Sequence, residues 1–517
     1  MARTLHIQVA MAGTVLALAW ANSHAASPDA IGDGKTLDDV NISSPVPTFL
    51  AVMAAVESND FATADGLMTK LLASSDFQKF DAPKQLQHLM MAVQIASSLK
   101  DHPRALKLAR QASELSTGEA IPWQARLVMA GLAGDFTDAA FSFTTLLKRW
   151  PDSLQSIDER MLTRMCLQIL HKADADSAFE MLQSLYAVDW WPVHVAALDQ
   201  VKYLLARHAL DRGNGPLARA VSADVTSVQG LLLMRIDKRF SAIVKGDPKR
   251  FNIERAAVNE VAHWRAETER DPRDLEWVRQ LASALIVNRR CDESLRVLDH
   301  ALQRLRENDS ARNFSDTSDT NWIMNERSGA LSCLGRWNEA ERQLLESSHQ
   351  AEQGMANVSQ ALNMANFYVR LNKPAEALRM LESFSAAETH AGPYGMAVVE
   401  RVRHSVAVQT NDVAEKERTF AYLSAHRADA MPLYENALYD EGRMDELASI
   451  AIQNLTGPET RGLALAALQS FMSRPSPPYV VYRTEGAHDS REREDVKRVA
   501  KQFGTLEHFR IYRPPGF

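Results

Sequence analysis

Between Phe49 and about Met472 the apolar positions of the chain recur at the spacing that buries one face of a helix, and Ala, Leu, Met, Glu, Gln and Arg dominate over β-branched runs. Short breaks holding Gly, Asn, Asp or Pro interrupt this pattern and share one form. An apolar helix ends in a turn, an acid or polar residue follows, and a small residue opens a second apolar helix. Gly134 to Ala139, Gly335 to Ala340 and Asn372 to Ala377 show the form most cleanly. Weaker copies run from Asn59 to Ala64, Lys100 to Ala105, Ala173 to Ala178, Arg289 to Ser294 and Gly442 to Leu447. The pattern predicts a series of helix-turn-helix units and an all-α fold.

Beyond Met472 the pattern changes. Pro475-Ser476-Pro477-Pro478 breaks the helical spacing, and Tyr479-Val480-Val481-Tyr482 is an aromatic and β-branched run that reads as a strand. Ser490 to Phe503 reads as a helix, with Glu494 and Arg498 at a favourable i, i+4 spacing, and Leu506 to Tyr512 as a second strand. Residues 473–517 thus predict a small β-α-β unit. Two strands bury too little to stand alone, so the unit reads as a cap over the last repeat, with addition to a partner's sheet as the lesser alternative.

Within the helical stretch, Trp123, Ala130, Gly134, Phe136, Ala139, Phe143 and Pro151 form one ordered set, Trp277, Ala282, Leu285, Leu298 and Leu302 a second, and Ala365, Tyr368, Ala377 and Leu381 a third. In their offsets these sets resemble the tetratricopeptide repeat, in which small residues let paired helices approach and large ones fill the space between pairs. Ala105 and Ala139 stand 34 residues apart, the period of that family. Other spacings are longer: 39 from Ala139 to Ala178, 46 from Ser294 to Ala340 and 37 from Ala340 to Ala377. Arg289 also replaces the turn Gly of the second set, and the polar stretch Asn308 to Thr320 is an insert. The resemblance divides the chain into a repeat block over 48–189, a divergent helical region over 190–271 containing the long pattern Val193 to Ala209, and a second block over 272–472. It implies a right-handed superhelix whose first helices line a concave groove for a protein or peptide. Mapping the matched repeats puts Gln124 and Val128, Trp322 and Asn325, and Asn366 and Arg370 on that groove. An Asn can hold an extended peptide backbone and an Arg can pair with a carboxylate, which makes Asn366 and Arg370 the most attractive of the six.

Composition changes this picture in three ways. Met1-Ala2-Arg3, the apolar stretch Ile7 to Ala21 and the small-residue site Ser23-His24-Ala25 read as a secretory signal peptide over 1–25, followed by a Ser-, Pro-, Asp- and Gly-rich leader over 26–47. The expectation is therefore an exported bacterial protein of the periplasm, or alternatively a secreted one, with no integral membrane segment after cleavage. Loss of Arg3 with the leader takes the net charge from −7 to −8, which argues against a nucleic-acid partner. Three cysteines rule out a disulfide scaffold. Cys166, in the apolar run Met161 to Leu170, reads as a small buried hydrophobe. Cys291 and Cys333 could meet if their repeats are neighbours, but nothing local fixes the geometry, and the bridge is the lesser alternative.

Candidate chemistry is sparse. Gly34-Lys35-Thr36 is like the end of a phosphate-binding loop, but Asp29 stands where the first Gly belongs. No His-Glu-x-x-His, Cys-x-x-Cys or Gly-x-Ser-x-Gly occurs, and His88, His171, His208, His263 and His404 fall singly on helical segments. Asp189 beside Trp190 and Trp191, with Pro192 and His194, is the nearest thing to a sugar-binding corner, but the two Trp residues read first as plugs of a helix junction. The soluble lytic transglycosylases also carry an exported helical superhelix, but the tail here is too short for their catalytic domain and lacks its Glu-Ser and Gly-Leu-Met-Gln pair. The sequence therefore reads as a non-enzymatic scaffold or adaptor of the cell envelope, without a metal or cofactor, that binds a protein or peptide. A helical carbohydrate-active enzyme or polysaccharide-binding module is the alternative.

Overall fold

The computed structural model describes residues 49–116, 118–157, 159–188, 198–307, 314, 317, 319–350, 357–382, 392–477 and 493–516. The signal peptide, the leader, the Asp189 to His194 corner, most of the Asn308 to Thr320 insert and the Tyr479 to Tyr482 run lie outside them. Two compact units divide at Val201 and Lys202.

The first unit contains α1 (Phe49–Glu57), α2 (Phe61–Leu72), α3 (Ala82–Ser98), α4 (His102–Leu115), α5 (Ile121–Ala133), α6 (Phe136–Arg149), α7 (Glu159–Lys172) and α8 (Ala175–Ala187). Helix α9 (Leu198–Asp211) leads into the second unit. There follow α10 (Gly215–Ala223), α11 (Val228–Ile236), α12 (Ser241–Gly246), α13 (Ile253–Arg270), α14 (Leu275–Val287), α15 (Cys291–Arg306), α16 (Thr320–Cys333) and α17 (Trp337–Ser348). The rest are α18 (Val358–Arg370), α19 (Pro374–Glu382), α20 (Pro393–Thr410), α21 (Val413–Ala425), α22 (Met431–Asp440), α23 (Met444–Thr456), α24 (Arg461–Ala467), β1 (Ser470–Met472), α25 (Glu494–Phe503) and β2 (His508–Tyr512). The described residues are thus almost wholly helical, arranged as successive helix pairs of the tetratricopeptide-repeat kind. None of their helices is long and apolar enough to cross a membrane.

One turn recurs through both units. Asn59, Lys100, Gly134, Gly213, Arg289, Gly335, Asn372, Asn411 and Gly442 all adopt a left-handed backbone, with φ between 55° and 78°. After each, the next amide donates to the carbonyl five residues back, as Asp135 does to Ala130 at 3.0 Å and Lys373 to Tyr368 at 2.9 Å. This satisfies carbonyls that a helix end leaves without partners and reverses the chain in two residues. The side chain after the turn often caps the next helix, as Asp60, Asp101, Asp135, Asn214 and Asp412 do. Four residues on, a small side chain meets the partner helix: Ala64, Ala105, Ala139, Ala218, Ser294, Ala340 and Ala377 are fully buried. The turns at Gly213 and Asn411 are additions to the pairs legible in the sequence. The first of them places an ordinary helix pair, α9 and α10, inside the region expected to be divergent.

The end of the second unit returns to its beginning. Strands β1 and β2 are parallel, with Ser470 opposite His508 and Phe471 opposite Phe509, then an irregularity that brings Met472 opposite Tyr512. A parallel pair needs a crossover, and α25 lies in it, so the β-α-β order holds. The first described strand is Ser470–Met472, inside the stretch assigned to the second repeat block, while the expected strand Tyr479 to Tyr482 lies outside the described residues. Tertiary anchoring makes so short a segment a strand. Phe471 packs on Phe509 with ring centroids 5.7 Å apart, and Gln469 accepts from the Glu507 amide at 2.8 Å while donating to the Thr505 carbonyl at 3.0 Å. Beyond the sheet, the Thr505 amide donates to the Ile236 carbonyl, Arg235 pairs with Glu507, and the Arg510 amide donates to Glu254. Gly504 is required there, because a Cβ would run into the Ile236 carbonyl. The C-terminal segment therefore closes back onto α11 and α13, and is not a cap over the last repeat alone.

Cys291, the first residue of α15, and Cys333, the last of α16, form a disulfide with Cα atoms 6.1 Å apart. The condition set by the sequence is met, since their helices are neighbours. Cys166 is buried, and burial pushes its thiol up to about 12, so it is inert as a nucleophile.

Candidate functional site

Two first helices of adjacent pairs in the second unit present matching faces. On α16 the face is Asn325, Ser328, Gly329 and Ser332, and on α18 it is Asn363, Asn366, Phe367 and Arg370. Each set follows the i, i+3, i+4, i+7 spacing that keeps side chains on one side of a helix, and each α18 residue stands 38 positions after its α16 counterpart. The repeat geometry thus superposes the two faces in register. Asn363 Nδ2 donates to Asn325 Oδ1 at 3.2 Å, tying the helices together at the start of the faces. Asn357 caps α18 by accepting from the Gln360 amide at 3.1 Å, which fixes where that helix begins.

Between these faces lies an open pocket of about 290 Å³ whose wall is completed by Arg474 and Pro475, just past β1. Among the described residues, three Asn, two Ser and two Arg line it, and no acid does. The Arg370 guanidinium has no carboxylate within ion-pair distance among the described residues. The guanidinium lies over the face of the Phe367 ring, 5.9 Å from its centroid. Arg370 and Arg474 are exposed residues, but protein crowded around the Arg370 head, first, and the charge of Arg474, second, hold its guanidinium below the ordinary arginine range. Arg474 is lowered likewise by partial desolvation, against the opposing influence of Tyr512 and Glu326. Glu326 is itself raised by its own burial despite Arg279 and Arg474, so its negative charge is a weak counterweight. The result is a locally positive, amide-rich recess in a chain of net charge −7.

Of the six residues expected on a groove, the structure brings Asn325, Asn366 and Arg370 together in this pocket. Trp322 lies one turn before Asn325 on α16, half-buried, and does not line it. Gln124 and Val128, in the first unit, require correction because both are buried, at 4% and 3% exposure. Gln124 Nε2 donates to the Ser153 carbonyl at 2.6 Å and to Ser156 Oγ at 3.0 Å, so its amide holds the turn after α6 and is not offered to a partner. Ser328 and Ser332 were readable by carrying Asn366 and Arg370 back 38 residues, and Asn363 by carrying Asn325 forward by the same step. Arg474 was not, because it belongs to no repeat and sits beside the Pro-rich break.

A second depression on α15, α16 and α17 is lined by Asp299, Arg306, Arg327, Glu339, Arg342 and Glu346. There the charges answer one another, as Arg327 does Asp299 at 2.6 Å. Among the described residues no group of His, Cys, Asp and Glu could hold a metal ion.

No protein-family model and no curated protein matches the chain. Among solved structures it is similar to one titled "Structure of Naa15/Naa10 bound to HypK-THB", at 14% identity and a TM-score of 0.24, covering 81% of this chain and 70% of that one. It is also similar to one titled "Crystal structure of APC/C hetero-tetramer Cut9-Hcn1", at 12% identity and a TM-score of 0.24, covering 88% and 95%. Likenesses this slight carry no weight for function, and the description as repeat-type helix pairs rests on the turns and buried small residues above.

Proposed function

We propose that this protein is a non-enzymatic scaffold that holds a protein partner in the bacterial cell envelope, with the recess between α16 and α18 as the docking site. The observation that carries the reading is the pair of matched faces, Asn325 to Ser332 and Asn363 to Arg370, which line one recess with three amides, each only partly engaged within the repeats, and a guanidinium. Buried polar groups in folded chains are normally satisfied from within, so polar heads presented in a recess are suited to a ligand. Asn side chains can bond an extended backbone on both its donor and acceptor groups, and arginine adds charge-assisted hydrogen bonds. Export rests on the signal-peptide pattern of residues 1–25.

Crosslinking of the tagged protein in its native envelope, followed by mass spectrometry, tests the reading. One envelope protein captured by the wild type and lost with Asn366→Ala plus Arg370→Ala supports docking at this recess. Capture that survives the double substitution moves the partner elsewhere, and capture of nothing in the envelope overturns the scaffold role.

A further inference from the structure

We infer that the recess is an anion site shared between the repeats and the C-terminal segment, in which Arg370 of α18 and Arg474 beyond β1 together clasp a carboxylate of an acidic stretch of the partner polypeptide. The inference rests on the docking reading above and names the chemistry that the site selects.

Three observations converge on it. The pocket joins two guanidinium groups and no acid, although acids outnumber Lys and Arg in the chain by 65 to 58. Both residues are exposed, and two like charges at one recess repel each other, as the downward pull of Arg474 on Arg370 reflects, a repulsion that a bound anion relieves. Second, Arg474 is held in place. Its Nη2 reaches the Arg513 carbonyl at 3.4 Å and its guanidinium lies over the Tyr512 ring, 5.5 Å from the centroid. Tyr512 in turn packs against the hydrophobic core of the second unit. The cation is therefore positioned by the β1–β2 pairing, which lowers the cost of ordering it on binding. Third, Asn325, Asn363 and Asn366 flank the same space; Asn363 Nδ2 donates to Asn325 Oδ1 and Asn366 Nδ2 to the Leu362 carbonyl, which leaves Asn325 Nδ2 and the Asn363 and Asn366 oxygens for the peptide groups on either side of an acidic residue. Carboxylate matches this set because a planar guanidinium can meet its two oxygens with parallel hydrogen bonds. The parallel sheet thus supplies half of the binding charge, which gives the C-terminal segment a role beyond closing the fold.

The test uses the full mature chain and a fluorescein-labelled pentaglutamate peptide, followed by fluorescence anisotropy, with pentaglutamine and inorganic phosphate as competitors. The expected result is binding of pentaglutamate that weakens as salt rises, competition by neither pentaglutamine nor phosphate at matched concentration, and at least a tenfold loss of affinity in Arg474→Gln and in Arg370→Gln. Arg474→Lys should recover part of the loss, a split that mere misfolding would not give. Gly329→Leu serves as a second, charge-preserving variant: a Cβ at Gly329 meets no atom within 4 Å, so the added side chain fills the recess without clashing at its base, and binding should again fall tenfold. Unchanged affinity in Arg474→Gln overturns the shared site, while the docking reading survives if the envelope partner is still lost with Asn366→Ala plus Arg370→Ala. Equal competition by phosphate overturns the carboxylate assignment in favour of a phosphoryl group. Equal competition by pentaglutamine overturns the role of charge altogether.

Discussion

Arg126 on α5 and Arg370 on α18 are both arginines of first helices in their pairs, and they are treated in opposite ways. Arg126 is buried, its Nε 3.0 Å from Asp138 Oδ2 and its Nη1 3.2 Å from Ser113 Oγ, with the rings of Trp123 and Phe141 at 5.2 and 5.1 Å. Arg110 adds a second cation at 3.4 Å from the same carboxylate. Every part of that head is answered inside the first unit. Arg370 has no such carboxylate among the described residues, and the cation beside it repels it. The same fold can therefore use an arginine as a strut or as a hook, and the presence of an internal acid decides which.

Removing the acid tests the strut. Asp138→Ala leaves Arg126 buried and unpaired, and unfolding free energy by urea titration should drop by about 3–5 kcal/mol. Arg370→Ala removes an exposed cation that no carboxylate among the described residues answers, and should change stability by less than about 0.5 kcal/mol. Similar losses from the two would erase the distinction.

The second unit depends on other ties. The disulfide between Cys291 and Cys333 closes 42 residues of sequence and fixes the start of α15 to the end of α16, the helix that carries Asn325. Chain-entropy reasoning puts its contribution at about 2–4 kcal/mol. Cys291→Ser plus Cys333→Ser, or reduction, should lower the melting temperature and affect the second unit only. A uniform loss across both units would show that they do not unfold separately.

A third tie is a buried group that stays neutral. His404 on α20 is wholly buried, its Nδ1 3.1 Å from Thr419 Oγ1, and burial first, then the charges of Arg401 and Lys416, bring it down to about 4. Glu441 stands 3.6 Å from Nε2 but is engaged by Lys416 at 3.2 Å, which blunts its pull, while Arg401 is answered by Asp440 at 2.7 Å. The folded pKa lies below that of the unfolded chain, so the unfolded state gains the proton first as pH falls. Stability is full above about pH 6.5 and is lost progressively down to about pH 4, by about 3 kcal/mol at most. His404→Gln should flatten that slope relative to the wild type in urea titrations across the range. A slope that is unchanged in the variant would assign the acid sensitivity to other groups.

How legible these features were in the sequence follows from how local their causes are. The helix pairs were readable because a left-handed residue, a cap and a small residue recur within six positions, and Gly134, Asp135 and Ala139 carry all three. The turn at Arg289 was readable only by analogy, since a bulky residue gives no hint of its φ of 65°. Part of the recess was readable too, because Asn325, Asn366 and Arg370 sit at repeat offsets. Gln124 was misplaced by the same offsets, since only the fold shows the turn at Ser153 to Ser156 drawing its amide inward. Arg474 and the strand Ser470–Met472 were hidden because their partners, Tyr512 and Phe509, lie about 40 residues away in sequence.

The smallest effect sharpens the comparison most. Gly329 faces the recess from the middle of α16, where glycine costs a helix about 0.5–1 kcal/mol relative to alanine. Its backbone is ordinary helix and a Cβ there touches nothing within 4 Å, so neither strain nor crowding explains the glycine. Gly131, in the first unit, is the contrast: a Cβ there would press on the side chain of Met165, 2.8 Å from its Cε. Gly329→Ala should therefore raise the stability of the second unit by about 0.5–1 kcal/mol in urea titrations, while Gly131→Ala should gain less or lose. If Gly329→Ala also weakens pentaglutamate binding, the missing methyl is room that the ligand uses. The glycine would then mark, as Arg370 does, a position where the second unit forgoes stability to keep its recess open.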